Sequence, residues 1–198
     1  MVTEIELKAH VRDSGGLRRR LTEIAEYLGS FEKNDAYWFS DEDNNSGTQR
    51  KGRGFPPSTL RVRAESRVLS DGREESATYA TFKTKEVRDG IEINDEREFE
   101  VRPSPGHDGK DFEEFLRRIG FKPGAAKRKR GWTFSRHGIT AELLEVDTLG
   151  WFIELEIVTD KNREEILVEG KKRLLDFLDT LGIGKENIES RFYSELLR

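Results

Sequence analysis

Glu4-Ile5-Glu6-Leu7-Lys8, at the start of the chain, alternates charged and apolar residues without a break. Period-two alternation is the signature of a strand, so Glu4, Glu6 and Lys8 share one face while Ile5, Leu7 and Ala9 share the other. At a rise of roughly 3.3 Å per residue, same-face side chains recur about every 6.6 Å. Two carboxylates at that spacing repel each other, and a hard divalent cation such as Mg²⁺ or Mn²⁺ would relieve the repulsion while recruiting phosphate oxygens. Taken alone, the stretch also reads as the polar face of an edge strand.

The same alternation recurs along the chain. Arg61 and Arg63 flank Val62, Lys83 and Lys85 flank Thr84, Glu98 and Glu100 flank Phe99, Arg128 and Arg130 flank Lys129, and Glu154 and Glu156 flank Leu155. Strands are expected over 3–11, 31–39, 59–69, 77–87, 91–101, 128–135, 139–146 and 151–159. Asp71-Gly72 and Asp89-Gly90 mark antiparallel hairpins. Helical spacing predicts an amphipathic helix from Asp13-Ser14 through Leu28, stopped by Gly29, and another carrying Phe112, Phe115, Leu116 and Ile119, stopped by Gly120. Two more are expected over 163–181 and 188–197. The stretch 40–58, rich in Asp, Asn, Gly and Pro, reads as a long loop in which Arg50, Lys51 and Arg53 are candidates to cover a site. About eight strands and four helices make the class α+β. Periodicity leaves two arrangements open, a sheet closed round a charged interior or a two-layer sheet with a charged outer face.

Composition narrows the chemistry. With 198 residues the expectation is a single domain, 1–198. Lys and Arg number 35 against 39 Asp and Glu, a formal net charge of −4, so any polyanion site is local. The chain contains no cysteine, which excludes disulfides, iron–sulfur clusters and thiolate zinc. The charged N-terminus and the lack of a long apolar run predict a soluble, cytoplasmic protein.

Other signals carry less. Lys127-Arg128-Lys129-Arg130 beside Trp132 resembles a nucleic-acid patch, but alternation sends half of those charges to each side, so no nucleic acid and no membrane partner is expected. His10, His107 and His137 stand in no metal-ligand spacing. Gly52 to Gly54 is too short for a phosphate loop, and no Gly-x-x-x-x-Gly-Lys-Ser/Thr occurs. A phosphate site would be built from side chains, with guanidinium groups forking onto phosphate oxygens.

The chain resembles the CYTH superfamily, the triphosphate tunnel metalloenzymes. Glu4-Ile5-Glu6-Leu7-Lys8 matches its Glu-x-Glu-x-Lys signature. Asp35 to Phe39, Leu60 to Arg63, Thr81 to Lys83, Arg97 to Glu100, Arg128 to Arg130 and Leu149 to Glu156 follow in the order of its later blocks. Ser190-Arg191-Phe192-Tyr193-Ser194-Glu195-Leu196-Leu197 is similar to the ending of the class IV adenylyl cyclase, or CyaB-like, branch. The resemblance implies an antiparallel eight-stranded β-barrel or tunnel with peripheral helices. It implies a metal-dependent cyclase converting ATP to cyclic AMP and pyrophosphate, with a triphosphatase as the alternative and a non-catalytic polyphosphate or nucleotide binder as a second one. Glu4, Glu6, Glu154 and Glu156 would hold Mg²⁺ or Mn²⁺. Lys8, Arg61, Arg63, Lys83, Lys85, Arg128 and Arg130 would hold phosphates, and Lys8, Arg63 and Lys83 would serve catalysis. Glu98, Glu100, Glu142 and Tyr193 are further candidates, Glu142 standing near the family's aspartate at a changed spacing. The branch also implies a homodimer.

Overall fold

The structure is a computed structural model describing residues 3–39, 60–88, 90–102, 109–159 and 164–197, with the side chains of 83–86, 88, 94–96 and 194 outside that description. The 40–58 stretch, with Arg50, Lys51 and Arg53, and the side chains of Lys83 and Lys85 therefore lie outside the described residues.

The alternating segments form eight strands: β1 (Thr3–His10), β2 (Glu26–Phe39), β3 (Leu60–Leu69), β4 (Glu74–Arg88), β5 (Ile91–Glu100), β6 (Lys122–Arg136), β7 (Ile139–Val146) and β8 (Gly150–Thr159). All pairings are antiparallel, in the circular order β1-β5-β4-β3-β2-β6-β7-β8. β8 pairs back onto β1 over eight residues, from Thr3 opposite Thr159 to His10 opposite Phe152, so the sheet closes into a barrel. The two-layer arrangement is thereby excluded, and closure leaves these strands no free edge at that seam.

Among the described residues, four α-helices lie outside the barrel wall or at its end: α1 (Ser14–Ile24), α2 (Gly109–Arg118), α3 (Glu164–Thr180) and a single turn, α4 (Tyr193–Leu196). The main apolar core sits between α1, α3 and the outer face of the sheet. Ile5, Leu7 and Ala9 of β1, Phe134 of β6, Leu143 of β7 and Ile153, Leu155 and Ile157 of β8 meet Leu17, Leu21, Leu167, Leu174, Phe177 and Leu178 there. Helix α3 comes so close to β1 that a Cβ on Gly170 would stand 2.4 Å from Ile5 Cδ1. A smaller core joins Trp38 and Val62 to Leu116, with Phe112 packed against it. Apolar parity therefore faces out, under the helices, and charged parity faces in. This inverts the usual arrangement of a small barrel filled by aliphatic side chains.

Two helix boundaries differ from expectation. Helix α1 ends at Ile24 instead of running through Leu28, because Glu26 and Tyr27 pair with β6 and Gly29 and Ser30 pair with both β3 and β6. Gly29 is a strand residue, not a helix stop. Its φ of +145° lies at a register shift, and a Cβ there would meet the Val68 carbonyl oxygen at 2.3 Å. The expected helix over 188–197 shrinks to the α4 turn, because Ile188 makes a β-bridge with Ala9 and the Glu189 N–H donates to the Lys8 carbonyl at 2.8 Å.

Candidate functional site

Register alone places the interior side chains. Glu6 lies opposite Glu156 and Lys8 opposite Glu154, Glu154 lies opposite Glu142, and Glu142 lies opposite Thr133. The same inward parity carries Lys127 and Lys129 on β6, Lys33, Asp35 and Tyr37 on β2, Arg61, Arg63 and Glu65 on β3, and Thr81 on β4. Glu92 and Glu98 extend it to β5. The tunnel wall is thus lined with both signs of charge.

One side of the wall is acidic. Glu4, Glu6 and Glu156 each bring a carboxylate oxygen within 4.8 Å of the others, and all three are half-buried. An all-oxygen donor set from two neighbouring strands suits a hard divalent cation, and no softer ligand stands among them. Glu154, expected in the same set, turns instead to Lys129, whose Nζ donates to both of its oxygens at 2.6 and 2.8 Å. Burial opposes ionisation of Glu154, yet Lys129 beside it drives its pKa far below the usual carboxylate range. Glu154 serves as the partner of a buried lysine, which leaves Glu156 as the β8 member of the acidic cluster.

The opposite side is basic and already organised. Arg63 donates from Nε and Nη2 to the two oxygens of Asp35 at 2.7 and 3.0 Å, and Lys127 Nζ stands 3.2 Å from the same carboxylate. Asp35 is buried, which favours its neutral form, but Lys127 and Arg63 hold it well below the normal range. Lys127 also donates to Tyr37 Oη at 3.1 Å. Burial raises the Tyr37 phenol, and the adjacent ammonium outweighs that and lowers it overall. Arg61 Nη2 donates to Thr81 Oγ1 at 3.0 Å and to Glu98 at 3.3 Å, while Thr81 donates to Glu98 at 2.9 Å. Two further pairs brace the wall, Lys8 to Glu92 at 3.0 Å and Lys33 to Glu142 at 2.6 Å. Each carboxylate holds a lysine or arginine in place in a low-dielectric interior, where burial lowers the Lys127 pKa even beside Asp35.

No protein-family model matches the sequence. Among curated proteins it is 26% identical over 124 residues to a candidate adenylate cyclase of Methanocaldococcus jannaschii, a match spanning 62% of this chain and 66% of that relative's length. Among solved structures, the PH1012 protein of Pyrococcus horikoshii OT3 superposes with a TM-score of 0.72 at 28% identity, covering 98% of each chain. HpAC1 of Hippeastrum, a candidate adenylyl cyclase described as having a dominant triphosphatase activity, superposes with a TM-score of 0.60 at 19% identity over 96% of this chain and 91% of its own. The chain shares the fold of these proteins.

Within this barrel, the expected site residues divide. Glu4, Glu6, Lys8, Arg61, Arg63, Glu98, Glu142, Glu154 and Glu156 all face the tunnel. Lys83 and Lys85 hold backbone positions in β4, with side chains outside the described residues. Glu100 pairs with Arg102 at 2.7 Å at the exposed end of β5.

Arg128 and Arg130 require correction, since both lie on the outer face. Arg128 pairs with Glu32 at 2.7 Å and Arg130 with Glu145 at 2.7 Å, in solvent. They share parity with Trp132 and Phe134, which join the outer core, so Lys127 and Lys129 must face inward. That parity was readable in the sequence, because two aromatics on one face of β6 point that face at the helices. Lys33, Asp35, Glu65, Glu92, Lys127 and Lys129 are the interior residues that motif reading passed over.

Proposed function

We propose that the tunnel binds a triphosphate together with a divalent cation, and that its reaction is cyclisation of ATP to cyclic AMP and pyrophosphate. The observation that carries this reading is the division of one closed interior into an acidic patch, Glu4, Glu6 and Glu156, and a cationic wall of Arg61, Arg63, Lys127 and Lys129. A phosphate chain lying between them would meet guanidinium and ammonium donors on one side and a cation site on the other.

The acidic trio is where Mg²⁺ or Mn²⁺ would bind, and the ion would supply charge neutralisation for the phosphates and Lewis-acid activation. The chain's own groups do the rest. Arg63 is fixed by Asp35 in a bidentate pair, so its guanidinium is aimed before any ligand arrives. Lys127 and Lys129 are aligned through Asp35 and Glu154. In cyclisation the ribose 3′-hydroxyl gives up its proton to water and its oxygen bonds to the α-phosphorus while the bond from that phosphorus to the α–β bridging oxygen breaks, and pyrophosphate leaves against the cationic wall. The name carried by the Methanocaldococcus relative supports this reaction.

Hydrolysis of a triphosphate is a second reading, favoured by the activity described for HpAC1. It uses the same wall, with water as the attacking group. Incubating the protein with ATP, and separately with inorganic triphosphate and thiamine triphosphate, in Mg²⁺ or Mn²⁺ separates the two. Cyclic AMP with an equal amount of pyrophosphate is the expected outcome. Free phosphate without cyclic nucleotide would establish the triphosphatase, and binding without product would establish a sensor.

A further inference from the structure

The C-terminal segment enters the barrel at the end where β1 finishes and β8 begins. Ile188 bridges Ala9, the Glu189 N–H reaches the Lys8 carbonyl, and Glu189 takes the Arg191 guanidinium at 2.6 and 2.9 Å while His10 Nε2 lies 3.2 Å away. These contacts carry Tyr193 into the interior, where 7% of its surface remains exposed. Its ring meets Phe152 edge-on, with centroids 5.1 Å apart, and packs in an apolar cluster with Phe31, Leu144 and Val146.

Three ammonium groups converge on that ring. Lys8 Nζ lies 4.8 Å from its centroid, Lys127 Nζ 4.9 Å and Lys129 Nζ 4.6 Å. Lys127 and Lys129 are successive inward residues of β6 and Lys8 comes from β1, and each also holds a different carboxylate: Glu92 for Lys8, Asp35 for Lys127 and Glu154 for Lys129. Like charges gathered in a poorly solvated interior repel one another. A carboxylate for each and a shared aromatic face offset that repulsion, the ring through its negative quadrupole.

We propose that Tyr193 is a positioning residue of the phosphate site, its aromatic face gathering Lys8, Lys127 and Lys129 into one cluster that binds a phosphate group of the triphosphate. The inference rests on the triphosphate reading of the tunnel. A cluster assembled beforehand spares the ligand the cost of ordering three flexible side chains against their mutual repulsion. The ring is the required element, and the hydroxyl is dispensable. The C-terminal segment is thereby part of the binding site and not only a cover for the barrel end.

Affinity for inorganic tripolyphosphate in Mg²⁺, measured by calorimetry on Tyr193→Phe and Tyr193→Leu, tests this. Phe keeps the aromatic face and should bind within about twofold of the wild type. Leu keeps an apolar filler but removes the face, and should bind about tenfold more weakly with an unchanged fold by thermal melt. If the Leu variant does not fold, Tyr193→Met fills the same space without a ring and is read in the same way. Wild-type affinity in the Leu or Met variant, or a Phe variant as weak as Leu, overturns the inference while the triphosphate reading stands. A wild-type protein that binds no tripolyphosphate removes both.

Discussion

The two faces of β6 carry the same run of charge to opposite ends. Lys127 and Lys129 point into the tunnel, each nearly sealed from solvent and tied to a buried carboxylate, Asp35 or Glu154. Arg128 and Arg130, their immediate neighbours, are exposed, point outward and pair with the half-buried Glu32 and Glu145. Geometry on the two faces is equally good, with N···O distances of 2.6–3.2 Å inside and 2.7 Å outside. What differs is the medium. Outside, solvent screens the pairs and they contribute little. Inside, charges removed from water cannot be left unmatched, so each pair is both costly to break and available to a polyanion.

The largest effect should come from the acidic side of that interior. Glu6→Gln or Glu156→Gln should reduce turnover by at least about a hundredfold with little change in melting temperature, because each removes a candidate cation ligand from a polar surface and not from the packed core. Glu145→Gln, the same change on the outer face, should leave turnover unaltered. Equal losses in all three, measured with the substrate that proves active, would break the distinction between inside and outside.

Lys129→Met sharpens it further. Removing the partner of a buried carboxylate should destabilise the fold by about 3–5 kcal/mol in denaturant titrations. The double variant Lys129→Met/Glu154→Leu should recover most of that stability while triphosphate affinity stays low. Recovery of both would show that Lys129 acts only through the fold.

The pH dependence of the tail is a smaller effect. Arg191 and His10 bring the Glu189 pKa down to about 2 from the ordinary glutamate value of 4.5, against the opposing effect of burial. A carboxylate depressed on folding contributes stability that is complete above about pH 4.5 and is lost as pH falls towards 2. The difference in stability between the wild type and Glu189→Gln should therefore be constant above pH 4.5 and vanish near pH 2. A difference that persisted at pH 2 would show that the carboxylate charge is not what fastens the tail.

The smallest effect expected is none. Arg128→Ala with Arg130→Ala should leave both melting temperature and activity at wild-type values. A clear loss of triphosphate affinity would return these arginines to the site despite their outward orientation.

Much of this molecule is legible as pattern. Alternation in 3–11, 139–146 and 151–159 matches β1, β7 and β8 within a residue or two, and Glu4, Glu6 and Glu156 are visible as same-face carboxylates before any fold is known. The extent of α1 was not legible. Leu28 and Gly29 fit a helical stripe and stop as well as they fit a strand, and only pairing with β3 and β6 decides between them. Glu154 shows the same limit at the site. In sequence it is equivalent to Glu156, but in space it lies within reach of Lys129, 25 residues away, and is engaged there.

By itself, then, the sequence determined that each strand has one charged and one apolar face, that the chemistry is oxygen- and nitrogen-based, and that the carboxylates of β1 stand together. These follow from local geometry, since side-chain direction in a strand depends only on parity. The tertiary structure alone decided that the charged faces enclose a tunnel, that Lys127 and Lys129 face into it in place of Arg128 and Arg130, and that Tyr193 returns from the far end of the chain to meet three lysines. Those outcomes depend on closure, register and burial, and a shift of one residue in register exchanges the inside of a barrel for its outside.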